Sequence, residues 1–258
     1  MRLLLCAALV LVLSAGCGGT SRPAASGEVI SVAGGTATPY GVGAGRVWIL
    51  LPRKGEIRSL VVYLHGWDAS LPFDWHQAWF EHLLHRGSAV MFPAYQDGVD
   101  DSFVVAPYDM HDGLVLGFRA LHRPDLPVVA AGFSVGGTLA FVYAANAPDW
   151  GLPRPRAVYS IFPADPYQIE PALDLSGVPA IPVVLRAGDH DTVVGRDGAD
   201  TLAGMLRPGA HLDYRIIRSV KGAWADHYLP TLVWNPEVRR LFWTPLDRLV
   251  RDAQRVPR

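Results

Sequence analysis

A serine hydroxyl is a weak nucleophile unless a neighbouring base takes its proton, and that base must itself be oriented by a third group. The sequence supplies all three residue types in a usable order. Ser134 stands in Gly132-Phe133-Ser134-Val135-Gly136, a G-x-S-x-G string in which side-chain-free neighbours allow a strand to turn sharply into a helix with the serine at the turn. Downstream, Gly188-Asp189-His190-Asp191-Thr192-Val193-Val194 places two carboxylates in one loop, and Ala225-Asp226-His227-Tyr228 supplies a histidine. In this arrangement His227 removes the Ser134 proton while a carboxylate fixes the imidazole tautomer and stabilises the imidazolium. Asp191 and Asp189 are both candidates for the acid, and Asp165, on an earlier loop, is a third. Aspartates without that role would cap their loops through Asx turns.

Acyl transfer at a serine also needs donors for the developing oxyanion. His65-Gly66-Trp67 follows the apolar run 60–64, so the backbone amides of Trp67 and Val135 are the expected pair. His65 itself reads as a structural histidine bonded to loop carbonyls rather than as a base. Trp67, Tyr95, Phe133, Trp224 and Tyr228 lie close in sequence to these positions, where each would either line a pocket or pack in the core. Asp189-His190-Asp191, even with His65 or His227 added, lacks a ligand spacing such as H-x-x-x-H, so no metal and no other cofactor is expected. Glu81, His82 and His85 fall within one helical turn and read as solvated helix surface.

The elements that must position these groups alternate along the chain. Segments 29–32, 46–51, 60–64, 89–92, 127–131, 157–162, 181–186 and 212–218 read as strands, with a glycine-rich turn at 41–45. Segment 60–64 (LVVYL) is continuously apolar, as a strand buried on both faces should be. Helical spacing runs over 73–85, with Trp75, Trp79 and Leu83 on one side, over 110–121, and over 135–147. The stretch 228–252 reads as helix interrupted by Pro236 and Pro245. Alternating strands and helices predict an α/β domain with a mostly parallel sheet covered on both faces, and ligands then bind beyond the carboxyl ends of the strands. Only about 18 residues separate Phe162 from Ile181, too few for a sizeable cap domain. An open site of that kind suits bulky, polymeric or surface-bound substrates.

Composition narrows the class. The 258 residues are 50% hydrophobic and 18% charged, with a net charge of −1, enough apolar content for one large core. No block of lysine and arginine occurs, so nucleic acid is not an expected partner. Segment 3–13 is too short to span a bilayer. It follows Met1-Arg2 and precedes Ser14-Ala15-Gly16, which reads as a secretory signal over 1–16. Leu13-Ser14-Ala15-Gly16-Cys17 resembles the lipobox of bacterial lipoproteins, which implies acylation of Cys17, a flexible tether over 17–28 and an extracytoplasmic domain over 29–258 held to the membrane. Cys6 and Cys17 are the only cysteines, so the mature domain would lack a thiol nucleophile or thiolate metal site.

Four strings together, His65-Gly66-Trp67-Asp68, Gly132 to Gly137 (GFSVGG), Gly188 to Val194 (GDHDTVV) and Ala225 to Pro230 (ADHYLP), resemble the α/β-hydrolase superfamily from about Val29 to the C-terminal helix. Within it the chain is most similar to the compact dienelactone hydrolase, chlorophyllase and polyester-hydrolase group. The resemblance implies a serine hydrolase cleaving carboxylic esters, with Ser134 as nucleophile, His227 as base and Asp191, just before an apolar pair, as the acid ahead of Asp189. The same triad would serve a thioesterase, amidase or peptidase, and the fold without catalysis would serve as a binding module on a surface lipoprotein. Trp67-Asp68 replaces two glycines of the longer His-Gly-Gly-Gly oxyanion loop, which argues against the bulky-alcohol lipases that carry it.

Overall fold

The computed structural model describes residues 22–255; the signal segment, Cys6, Cys17 and the start of the tether lie outside them. The strands are β1 (Ile30–Val32), β2 (Gly35–Tyr40), β3 (Val47–Pro52), β4 (Ser59–Leu64), β5 (Ser88–Pro93), β6 (Val128–Phe133), β7 (Ala157–Ile161), β8 (Pro182–Gly188) and β9 (His211–Ile217). The helices are α1 (Gln77–His85), α2 (Ala106–Leu121), α3 (Val135–Asn146), α4 (Pro166–Ile169), α5 (Asp197–Met205) and α6 (Pro236–Arg255). All nine strands form one sheet in the order β1-β2-β3-β5-β4-β6-β7-β8-β9. The β1–β2, β2–β3 and β3–β5 pairs are antiparallel and every later pair is parallel. The architecture is the α/β class read from the sequence.

Period-two alternation divides the central strands between two cores. Leu60, Val62 and Leu64 of β4 face a cluster that contains Met110 and Leu114 of α2, Leu139 of α3 and Leu202 of α5. Val61 and Tyr63 face the opposite cluster, which holds Trp79 and Phe80 of α1 and Phe242 and Leu246 of α6. Burial on both faces explains why β4 and β6 read as uninterrupted apolar runs.

Several elements differ from the sequence expectation. The strand β2 (GTATPY) has no apolar run; its buried positions are Gly35, Ala37, Pro39 and Tyr40, and it pairs along its whole length with β3. Helix α1 starts at Gln77, so Trp75 lies outside it and is 40% exposed, while Trp79 and Leu83 are buried. His82 is not free surface: its Nε2 bonds Asp247 of α6 at 3.0 Å, and Glu81 accepts from Gln77 Nε2 at 2.9 Å. Pro245 does not interrupt α6, which runs unbroken from Pro236 to Arg255. Proline removes one ladder bond, but the face bearing Val238, Phe242, Leu246 and Leu249 is buried, and packing of that stripe outweighs the loss. Between Phe162 and Ile181 the chain makes the four-residue helix α4, an element the sequence pattern does not mark.

His76, just ahead of α1, is packed between Tyr63 and Phe133, with ring centroids 5.0 and 5.6 Å away. Neither ring nitrogen has a hydrogen-bond partner among the described residues. Burial, reinforced by nearby His65, pushes its pKa down to about 3. A histidine whose folded pKa lies below its unfolded value binds fewer protons when folded, so stability is full above the unfolded value near 6.5 and is lost as pH falls from there toward 3. At pH 4.5 this one residue costs about 2–3 kcal/mol relative to pH 7. His76→Leu, close in volume and apolar, is expected to shrink the difference in urea midpoint between pH 7 and pH 4.5. An unchanged difference would remove His76 from the acid sensitivity.

Candidate active site

Ser134 joins β6 to α3 with φ 57° and ψ −125°, a conformation that L-residues avoid. Such a residue costs about 1–3 kcal/mol and persists only where its surroundings over-determine it. Here the Ser134 amide donates to Ile161 O at 3.0 Å, and the Ser134 carbonyl accepts from Gly137 at 2.9 Å and Ala164 at 3.1 Å. The flanking glycines are sterically required. A Cβ on Gly132 would sit 2.0 Å from Gly136 O, and one on Gly136 would sit 2.1 Å from Leu64 O. The turn thus closes only because neither carries a side chain, and it lifts the Ser134 hydroxyl above the carboxyl edge of the sheet.

The loop after β9 brings His227 to this hydroxyl. His227 Nε2 lies 3.0 Å from Ser134 Oγ, and its Nδ1 lies 2.8 Å from Asp191 Oδ2 in the loop after β8. Ser134, His227 and Asp191 are 7%, 5% and 8% exposed, so water screens this chain of bonds little. The carboxylate on Nδ1 holds the proton there and leaves the Nε2 lone pair for the hydroxyl. The other Asp191 oxygen, Oδ1, accepts the amides of Val193 at 2.9 Å and Val194 at 3.1 Å. Burial pushes the Asp191 carboxyl up, but the bond and charge of His227 and these two amides outweigh it and hold it below the ordinary carboxylate range. Phe133 and Phe162 back the imidazole ring at 4.8 and 6.4 Å.

The other two acid candidates are used elsewhere. Asp189 Oδ1 bonds His190 Nδ1 at 2.6 Å, with Arg218 at 3.9 Å from its other oxygen. Asp165 accepts the Tyr167 amide at 3.0 Å and caps α4. Asp189-His190-Asp191 does not gather ligands: among the described residues no group of three or more histidine, cysteine or acidic side chains is placed to hold a metal ion.

The amides of Trp67 and Val135 form no hydrogen bond with any described residue, while those of their successors do, Asp68 to Gln96 Oε1 at 2.8 Å and Gly136 to His65 O at 3.0 Å. His65 pins the turn between β4 and α1 from below: Nδ1 lies 2.6 Å from Gly66 O and Nε2 2.5 Å from Ala94 O, with the Tyr95 ring stacked 4.0 Å away. Burial pushes the His65 pKa down to about 4 even though both carbonyls act against that shift, and the imidazole is committed to the loop, not to Ser134. Gln96 was not evident from the sequence. It is 3% exposed, fixes the backbone of Asp68 and donates to Gly98 O at 2.9 Å. Its only signal was its place just past β5. Of the aromatic candidates, Tyr95 and Phe133 are fully buried, whereas Trp224 and Tyr228 are 66% and 49% exposed.

No protein-family model matches the chain, and no curated protein matches it significantly. Solved structures do. A thermostable esterase from Pseudomonas putida superposes with a TM-score of 0.62 at 17% identity, covering 89% of this chain and 83% of that one. An esterase from Pyrobaculum calidifontis gives 0.59 at 19% identity, covering 88% and 85%. A bacterial esterase of the hormone-sensitive lipase family gives 0.59 at 15% identity, covering 84% of each chain. At such identities the likeness speaks to architecture rather than to chemistry. With its mostly parallel sheet and its serine turn between β6 and α3, the chain has the α/β-hydrolase fold.

Proposed function

We propose that the chain is a lipid-anchored, extracytoplasmic serine hydrolase that cleaves carboxylic esters through a Ser134–His227–Asp191 triad and an acyl-enzyme. The observation that carries this reading is the continuous bond path Asp191–His227–Ser134 ending on a strained serine. Ser134 Oγ attacks the ester carbonyl carbon as its proton passes to His227 Nε2. The tetrahedral oxyanion accepts from the free amides of Trp67 and Val135. His227 then protonates the departing alcohol; water, deprotonated by the same imidazole, attacks the acyl carbon, and the proton returns to Ser134 Oγ as its bond to the acyl group breaks and the acid leaves. Every step is accounted for by side chains and backbone, so the reading requires no cofactor. Esterases among the structural neighbours favour oxygen esters over thioesters or amides as the first substrates to assay.

A fluorophosphonate probe tests the nucleophile directly. The folded protein is expected to label at Ser134 and nowhere else by peptide mass spectrometry, and heat-unfolded protein is expected to remain unlabelled. Folded protein that resists the probe would make this fold a binding module. For the anchor, Cys17→Ala is expected to shift the protein from the membrane fraction to the medium; retention on the membrane would argue against acylation at Cys17.

A further inference from the structure

A cavity of about 680 Å³ opens where α2 and α3 end. Its walls include the half-buried Val115, Phe118, Trp150 and Leu152, and two exposed cationic or basic residues, Arg119 and His122, also line it. Ser134 stands at the opposite end of α3, whose 12 residues put about 18 Å between its two ends. The cavity shares no residue with the triad or the expected oxyanion amides. Its size and make-up, apolar and aromatic walls with a few polar groups, are those of a small-molecule site.

The polar lining restricts what the cavity can hold. No acid and no hydroxyl lines it. Neither the Arg119 guanidinium nor the Trp150 indole N–H has a hydrogen-bond partner among the described residues. The acids nearest in sequence do not neutralise Arg119: Asp112 bonds His111 at 3.0 Å, Asp125 bonds Arg123 at 2.7 and 2.8 Å, and Asp149 forms no ion pair with any described residue. His122 ends α2 in the left-handed region, at φ 51° and ψ 39°, a place where glycine is the usual residue, so local backbone preference does not account for an imidazole there. Donors without acceptors call for an acceptor. A carboxylate takes two parallel N–H bonds from one guanidinium, and an aromatic body gains ring contacts with Phe118 and Trp150. A dianion such as a phosphate monoester would keep an uncompensated charge against the carbonyl ends of α2 and α3, which favours a single negative charge.

We propose that this cavity is a binding site for an aromatic monocarboxylate, with the carboxylate on Arg119 and the ring against Phe118 and Trp150. The site stands whether or not Ser134 is a nucleophile. The photoreactive acid 4-benzoylbenzoate serves as the probe, with the full-length protein. On irradiation it is expected to mark peptides that carry residues 115–124 and 150–153, read by mass spectrometry. In calorimetric titration in the dark, Arg119→Gln is expected to weaken binding about tenfold or more, as loss of a charge-assisted bond implies. Val115→Trp, which fills the cavity, is expected to abolish binding while circular dichroism shows the fold intact. The uncharged 4-benzoylbenzamide should bind the unaltered protein no better than the acid binds Arg119→Gln. Labelling confined to the loops around Ser134, equal affinity for acid and amide, preference for phenyl phosphate over benzoate, or unchanged binding in both variants would each overturn the assignment. So would an Arg119→Gln protein with a lower urea midpoint and unchanged affinity, which would leave Arg119 as a partner of the α2 carbonyl end alone.

Discussion

Ester cleavage by the Ser134→Ala protein is expected to fall by about 10⁴–10⁶-fold with the urea midpoint almost unchanged, and His227→Ala should lose a similar factor. The stability control follows from the backbone. Alanine keeps the Cβ, and the φ of 57° is imposed by the Ile161, Gly137 and Ala164 hydrogen bonds, all of which use main-chain atoms of residue 134. The hydroxyl itself makes one bond, to His227 Nε2, so its removal disturbs little besides the reaction. Under the proposed triad the two residues act as one unit, so the double variant should be scarcely slower than either single one. Additive losses would mean that serine and histidine contribute separately, as binding groups rather than as nucleophile and base. A residual rate above that in water is expected from the Trp67 and Val135 amides, which neither substitution touches.

Sequence patterns were legible where a single physical demand acted on consecutive residues. Strands β4 and β6 are buried on both faces, which leaves polar residues no place in them. The serine turn tolerates nothing but glycine at 132 and 136, so a steric requirement is written directly as residue type. The three candidate acids show the opposite case. Asp165, Asp189 and Asp191 are alike in sequence, each in a loop past a parallel strand, and only the register of two loops across β8 and β9 decides which meets His227. Strand β2 is illegible because only Ala37 and Tyr40 of it join the apolar clusters, too few to mark a period, while its register comes from antiparallel pairing with β3. Pro245 misled for a related reason, since local propensity lost to burial of Phe242 and Leu246 contributed by the rest of the fold. Gln96 carries no motif, and its role exists only through its contact with Asp68, 28 residues away.

Asp191→Asn should cost about 10⁴-fold in kcat, against no more than a few-fold for Asp189→Asn. Asparagine is nearly isosteric, and its oxygen can still accept the Val193 and Val194 amides, so the loop after β8 should keep its shape. What changes is the group facing His227 Nδ1. The carboxylate is an acceptor and keeps a proton on that nitrogen; an amide NH₂ is a donor and demands a lone pair there instead. The proton then moves to Nε2, which points it at Ser134 Oγ and can no longer take one from it. The imidazolium formed during attack also loses the negative charge 2.8 Å from its ring. The charge is available throughout the working range, since His227 and the two amides hold the Asp191 carboxyl below its ordinary value. A folded-state pKa below the unfolded one adds stability that is present above the unfolded value and lost as pH falls through the folded one, so the wild-type pair should weaken only in strong acid. Asp189 contacts the exposed His190 and Arg218, and its neutralisation leaves the Asp191–His227 bond intact. The reverse ranking of the two variants would transfer the acid's role to Asp189 and require the loop after β8 to slip by two residues in the working enzyme. Comparable small losses in both would mean that His227 is oriented by its packing against Phe133 rather than by a carboxylate.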